Sequence, residues 1–376
     1  MRVFQFVSYS ADSDYFSNLG KGLDQRGIEI AFGTLFQTGR EFPGWIKPID
    51  DARYYCLGAR SRYDFPMAVL RLASILRTVK PDILQTHLYE ASLVGLLAAK
   101  LARVPIRILT RHHTDQAHLI GKKLPIAVDR WEAAEADVVV VLSNAVRNFM
   151  ISVDGIDPAK IRVVYQGFDF EKFSANEGDR KKVRSECDFA DDDFVIGTFG
   201  NFFPTKGHRF LLAAAERLVG EIPNLKLLFV GDGGDKESLK EQISKAGLSE
   251  RIVFAGFRKD VSACMKACDV VVHPSLSEAF CQVLIESMST GVPLISTDVG
   301  GAGEVIEDGK TGLLIASENV DEIVEAVRKL YLDRGFGKQI AMAGQQAVRE
   351  KFTIEKMLDQ QIECYETLIN TRNNAN

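Results

Sequence analysis

The chain is poor in cysteine, with six in 376 residues, and no two of them form a CxxC pair. Positions 56, 187, 264, 268, 281 and 364 show neither a disulfide framework nor zinc-ligand spacing, so all read as reduced thiols. Cys264 and Cys268 share one face of a predicted helix, where small buried hydrophobes are expected rather than metal ligands. Long apolar runs are also missing: nothing approaches the 18 or so residues that cross a bilayer, and MRVFQFVSYS lacks the length and cleavage site of a signal sequence. The expectation is a soluble, cytoplasmic protein. No excess of one charge stands out either. A net charge of -5, with 26% charged and 46% apolar residues, is the balance of an ordinary globular protein, and no nucleic-acid partner is expected.

That small net charge hides an asymmetry. Residues 1–170 hold 21 Lys and Arg against 18 Asp and Glu, leaving 25 against 33 for the remainder. Arg53, Arg60, Arg62, Arg71, Arg77 and Lys80 crowd one stretch, and Lys122 with Lys123 form another patch. Two readings stay open, a solvated face and peripheral contact with an anionic membrane, which would be its inner face.

What the chain does have is alternation. Short β-branched or aromatic runs alternate with longer helical patterns, the signature of α/β architecture with doubly wound parallel sheets. Strands are predicted at 2–8, 29–32, 83–86, 107–110, 138–142 and 161–164, with helices notably at 65–79 and 91–101. After a polar stretch at 174–193 the pattern starts afresh, with strands at 195–199, 226–230, 252–255, 270–273, 293–296 and 312–315. Helices between them are predicted at 209–219, 236–246, 261–267, 282–290 and 320–332. A chain this long holds two cores, and ligands of such sheets bind outside the carboxyl ends of the strands.

The candidate chemistry of the second half falls just after strands. Gly200 to Gly207, containing Lys206, follows one strand, and Gly231-Asp232-Gly233-Gly234 the next; both turns can bring backbone amides to a phosphate. A glycine turn alone usually only reverses the chain. The segment HPSLSEAFCQVLIESMSTGVPLIS says more, because Glu278 lies in a loop before a predicted helix and Glu286 inside it. Carboxylates accept strong hydrogen bonds from vicinal sugar hydroxyls, and the helix N-terminus suits phosphate. The bland alternative is that Glu278 caps the helix and Glu286 meets a surface base.

Two glutamates separated by seven residues, followed by Gly291-Val292-Pro293, Gly300-Gly301, Glu304 and Asp308-Gly309, resemble the pattern of the family 4 retaining glycosyltransferases. Lys206-Gly207, Gly231-Asp232-Gly233 and Gly256-Phe257 match upstream, as do His87, His112, Ser143 and Gln166 to Asp169 in the first half. The resemblance implies the GT-B fold, with two Rossmann-like domains facing across a cleft. Residues 1–170 would form the acceptor domain, 171–352 the nucleotide-sugar domain, and 353–376 a helix packing back on the first. A hinge near 168–180 would let the cleft close.

The implied reaction moves a hexose from a nucleoside-diphosphate sugar, UDP-sugar preferred, to an acceptor hydroxyl with retention, in glycan, polysaccharide or glycolipid synthesis. No cofactor and no metal are implied. Glu278 would hold the hexose, Glu286 the ribose, and Lys206 the diphosphate. Amides of Phe280, Cys281 and Gln282 would add the helix N-terminus, while Gly231, Gly256, Phe257 and Arg258 would frame phosphate and base. His112 would face the donor from the first domain, with His113 a lesser candidate, and the leaving phosphate would take the acceptor's proton. The acceptor would be a glycan, a lipid-linked molecule or a small molecule. Competing readings are a GT-B epimerase or phosphorylase, or a catalytically weak sugar-nucleotide binder.

Three departures from the pattern matter. Asn201 stands where relatives carry an arginine, which leaves two readings open: weaker diphosphate binding, or Arg258 as the substitute charge. Cys281 replaces the glycine after Glu-x-Phe. Tyr9 to Ser13 fills the first loop, where a glycine pair is expected.

Overall fold

The computed structural model describes residues 1–9, 13–36, 53–114, 118 and 123–375. Residues 10–12 of the first loop, and Lys122 of the second basic patch, lie outside that set.

The described chain forms two compact units, one of Met1–Phe168 with Phe352–Asn376 and one of Asp169–Lys351. The first carries β1 (Arg2–Val7), β2 (Glu29–Phe36), β3 (Tyr54–Ala59), β4 (Ile83–His87), β5 (Ile106–Arg111), β6 (Val138–Val141) and β7 (Ile161–Val163). They form one sheet in the order β3-β2-β1-β4-β5-β6-β7, with every adjacent pair parallel. The second unit carries β8 (Phe194–Phe199), β9 (Leu225–Val230), β10 (Ile252–Gly256), β11 (Val270–His273), β12 (Leu294–Thr297) and β13 (Leu313–Ile315). Its order is β10-β9-β8-β11-β12-β13, again all parallel. Runs such as VVVV in β6 and VVVH in β11 are buried throughout, as strands covered on both faces must be.

Each order reverses once, between β1 and β4 and between β8 and β11. Loops leaving neighbouring strands diverge at such a point and open a crevice at the carboxyl edge.

β2 runs four residues past its predicted end. Gly33, the first residue past that end, lies inside the strand, where a Cβ would come within 2.7 Å of the Phe4 ring and 2.9 Å of Phe6. Its missing side chain admits two aromatic rings of the neighbouring strand, a packing role for glycine. β3 was not expected at all. It is an edge strand between Arg53 and Arg60 with only Leu57 and Ala59 buried, so it lacks the apolar run that marks a central strand.

The last helix, Ile354–Ala375, belongs to the first unit, where Met357, Leu358 and Tyr365 join the core with Phe16, Leu19 and Leu23. The Tyr365 hydroxyl accepts from Gln5 Nε2 at 2.9 Å and donates to Gln85 Oε1. All three residues are buried, so every lost partner leaves a desolvated polar group. Tyr365→Phe is therefore expected to lower stability by about 1–3 kcal/mol in urea unfolding; an unchanged midpoint would show that this network contributes nothing.

Candidate functional site

In the second unit the loops after β8 and β11 meet at the reversal point. Leu276 N donates to Thr205 O at 2.7 Å, Ser275 Oγ to the same carbonyl at 3.1 Å, and Thr297 Oγ1 at the end of β12 to Ser275 O at 2.6 Å. Gly300, at φ 56°, lies against the Glu278 backbone, and a Cβ there would come within 1.9 Å of Glu278 O. Gly231, at φ 143°, likewise leaves 1.9 Å between its absent Cβ and Gly200 O. These two glycines are demanded both by backbone conformation and by close approach.

The frame holds a charged cluster. Lys206 Nζ donates to Glu278 Oε1 at 2.5 Å, and His273 Nε2 donates to the same oxygen at 2.8 Å. Burial pushes the Glu278 carboxyl up, but the His273 hydrogen bond and the nearby His273 and Lys206 charges outweigh it and hold the group at about 2. Glu278 is thus ionised at neutral pH and equipped to accept hydrogen bonds, not to give a proton. Burial, followed by the His273 and Lys206 charges, lowers His208 to about 3, so an uncharged imidazole packs edge-on against Phe202.

Cys281 precedes the helix Gln282–Ser289 in the left-handed region, at φ 56° and ψ 59°. Its thiol and the side chain of Phe280 are buried, and burial, with the Glu278 charge adding, pushes the thiol well up. Glu286 sits one turn into the helix, partly exposed, where Oε1 accepts from Gln282 Nε2 at 3.1 Å. Asn201 and Phe257 are exposed. Gly256 O accepts from Gly231 N at 2.9 Å, which knits the β9 and β10 loops together.

Arg258, the candidate substitute for the missing arginine, is held by two carboxylates. Its guanidinium is committed to Asp260, at 2.7 and 2.8 Å, and to Glu186 at 2.9 Å, and both carboxylates hold it protonated. Two further features were not legible in the sequence. His273 ends β11 five residues before Glu278; a histidine closing a buried strand beside a carboxylate was the available signal. The second is the donor-atom grouping itself: His273, Glu278 and Cys281 place a ligand atom each within 4.8 Å of one another, a set that sequence spacing did not suggest.

In the first unit the reversal point carries neutral groups. His87 ends β4 and His112 follows β5. Gln5 Nε2 donates to Gln85 Oε1 at 3.2 Å and to Tyr365, which fixes the amide, so Gln5 Oε1 accepts from His87 Nε2 at 2.7 Å. His87 Nδ1 must then accept, and His112 Nε2 donates to it at 3.1 Å, leaving Nδ1 of His112 as a lone-pair acceptor. Burial, with the His113 charge adding, lowers His112 to about 4. His113 Nε2 instead pairs with Asp129 at 3.3 Å.

Two family models match the chain, Glycosyl transferases group 1 over residues 179–347 and Glycosyltransferase Family 4 over residues 13–172. Among curated proteins it is similar to N-acetyl-alpha-D-glucosaminyl L-malate synthase of Bacillus anthracis, 26% identical over 94% of this chain and 91% of that one. It is also 28% identical to the UDP-Gal:alpha-D-GlcNAc-diphosphoundecaprenol alpha-1,3-galactosyltransferase of Escherichia coli, over 71% and 70% of the two chains. Among solved structures, HepE of Anabaena in complex with UDP-glucose superimposes with a TM-score of 0.84 at 23% identity, covering 98% of this chain and 100% of that one. At that identity the likeness establishes the GT-B fold alone.

His112 generates a test of its own. A histidine depressed from 6.5 to about 4 stabilises the fold fully above pH 6.5, and loses that contribution as pH falls towards 4, because the unfolded chain takes up the proton first. His112→Gln lacks this dependence. The stability gap between wild type and variant in urea unfolding is expected to shrink by about 3 kcal/mol between pH 7 and pH 4; a constant gap would mean that His112 is not buried as a neutral group.

Proposed function

We propose that this chain, which belongs to the family 4 GT-B glycosyltransferases, transfers a hexose from a UDP-sugar to an acceptor hydroxyl with retention of configuration. Its use of a nucleotide-sugar donor follows from its relatives; the hexose, the base and the stereochemistry are our reading. The observation that carries it is the ionised Glu278 held by Lys206 and His273 at the reversal point of the second sheet. A carboxylate kept at about 2 cannot serve as a general acid, but it can accept hydrogen bonds from two hexose hydroxyls.

In this scheme the donor's diphosphate draws Lys206 from Glu278, and hydroxyls replace the ammonium as the carboxylate's partners. The amides of Phe280, Cys281 and Gln282 and the N-terminus of the helix Gln282–Ser289 meet the phosphates, stabilising the charge that develops as the sugar bond breaks. Glu286 takes the ribose hydroxyls. No protein nucleophile is assigned: the leaving phosphate accepts the acceptor's proton. In the first unit, His112 offers Nδ1 as a neutral hydrogen-bond acceptor for a sugar hydroxyl. The E. coli relative acts on a diphosphoundecaprenol-linked sugar, which supports a glycan or lipid-linked acceptor here.

Peripheral binding to an anionic membrane is part of the proposal. Arg60, Arg62, Arg71, Arg77 and Lys80 are exposed near the exposed Met67, Leu70, Leu97 and Leu101, a basic and apolar mixture suited to an interface. No described helix is long and apolar enough to cross a membrane. Sedimentation with phosphatidylglycerol vesicles is expected to fall as salt rises from 50 to roughly 500 mM, where screening shortens to a few Å; binding indifferent to salt removes the electrostatic part.

The site assignments separate in two variants. Glu278→Gln is expected to lower the transfer rate by about a hundredfold while leaving the affinity for free UDP within roughly threefold, since it meets the sugar. Glu286→Ala is expected to weaken UDP binding by about tenfold, the loss of one charge-assisted hydrogen bond. A thermal-shift screen of UDP-, GDP- and ADP-sugars identifies the base, because a ligand of the folded state raises its melting temperature; stabilisation by GDP- or ADP-sugars alone overturns the choice of UDP.

A further inference from the structure

We propose that His273, Glu278 and Cys281 form a binding site for one borderline-soft divalent cation of the zinc type, and that this ion and the nucleotide sugar exclude one another.

The donor set points to the ion. Imidazole nitrogen, carboxylate oxygen and thiol sulfur lie within 4.8 Å of one another, with His273 Nε2 and Glu278 Oε1 at 2.8 Å. Zinc bonds of about 2.0–2.3 Å to such atoms require ligand atoms roughly 3.3–3.7 Å apart in a tetrahedron, so the nitrogen–oxygen pair needs to open by about half an ångström and the sulfur side to tighten by up to about one. Mixed sulfur and nitrogen donors disfavour magnesium and calcium, which take oxygen. Three protein ligands leave a fourth position for water.

The ligands are held by the fold. His273 closes β11 in the sheet interior, the Glu278 carbonyl lies against Gly300, and Cys281 is fixed in the left-handed region before its helix. All three side chains are largely buried, at 4% exposure for His273 and 12% for Glu278, with Cys281 at 4% for the whole residue. Cys281 makes the site particular to this chain: with the glycine of the family pattern there would be no third donor.

Binding is an exchange with no redox change. The Cys281 S–H bond breaks, its proton goes to solvent and a metal–sulfur bond forms. His273 releases to solvent the hydrogen that Nε2 donates to Glu278, binds through that nitrogen and carries its remaining proton on Nδ1. Lys206 leaves Glu278 Oε1 with its own charge intact; its side chain is 26% exposed, so it can swing towards water. Protons must be displaced and an ammonium moved, so the affinity is pH-dependent and modest. The exclusion rests on the reading of Glu278 as the hexose contact, since one carboxylate cannot serve ion and sugar together.

Cobalt(II) reports the site directly, because thiolate ligation gives a near-ultraviolet charge-transfer band. Titration of the full chain should produce this band at one equivalent, with zinc displacing the cobalt. Cys281→Ala should abolish it, and Glu278→Gln should weaken cobalt binding about tenfold with circular dichroism unchanged. Lys206→Met, which removes the competitor, should tighten it. A band that survives in Cys281→Ala, or no band in wild type at saturating cobalt, overturns the site. Calorimetry with UDP-glucose then tests exclusion: zinc should block binding to wild type and not to Cys281→Ala. Simultaneous binding overturns the exclusion. If UDP-glucose binds while the cobalt band is missing, only the cation site falls; if the band is present but UDP-glucose fails to bind metal-free protein, the UDP-hexose reading falls instead.

Discussion

A carboxylate buried beside an ammonium and an imidazole is the interaction on which the second unit's functional edge depends. Glu278 could not remain charged in that position alone, since an unpaired buried ion costs several kcal/mol. Lys206 comes from the β8 loop and His273 from the end of β11, so the ion pair bridges the two strands between which the sheet order reverses. Topology opens the crevice there, and electrostatics decides what it can hold. The positive and negative groups satisfy each other, and under the proposed function a diphosphate sugar would offer each a replacement partner: phosphate for the lysine, hydroxyls for the glutamate.

The first unit uses the same topological device with the opposite chemistry. Its reversal point, between β1 and β4, gathers Gln5, Gln85, His87 and His112 into a chain of neutral hydrogen bonds anchored by Tyr365. Desolvation dominates here, and both imidazoles are depressed. The final helix therefore does more than cover hydrophobic surface. By fixing the amides of Gln5 and Gln85 it sets, two hydrogen bonds away, which nitrogen of His112 presents a lone pair. A residue 253 positions later in the chain, Tyr365, helps choose the tautomer of a histidine at the strand edge.

Much of the α/β fold was legible because buried parallel strands are short apolar runs with little alternation; β6 and β11 are found within a residue of their predicted ends. What escaped was governed by tertiary contact. Gly33 is a strand residue because Phe4 and Phe6 need its space, and β3 is an edge whose alternate residues face solvent. In the candidate site, motif spacing singled out Glu278, Glu286 and Lys206, since these lie in two loops and the first turns of a short helix, whose sequence is read locally. The pairing of His273 with Glu278, the capture of Arg258 by Asp260 and Glu186, and the approach of Cys281 to both His273 and Glu278 are facts of side-chain geometry. No spacing rule encodes them.

Cys281 shows how those levels interact. A non-glycine residue in the left-handed region carries a penalty of about 1–2 kcal/mol, and this one also buries a thiol beside an ionised carboxylate, a neighbour that opposes its ionisation. Glycine would relieve the backbone but leave the space occupied by the thiol unfilled, between the Glu278 carboxylate and the Val299 carbonyl. The side chain therefore fills space beside the Glu278 carboxylate while the backbone keeps the turn that aims the helix N-terminus. A substitution at this one position alters the space beside Glu278 without moving the backbone of the helix start, so side-chain shape and backbone geometry are set separately there.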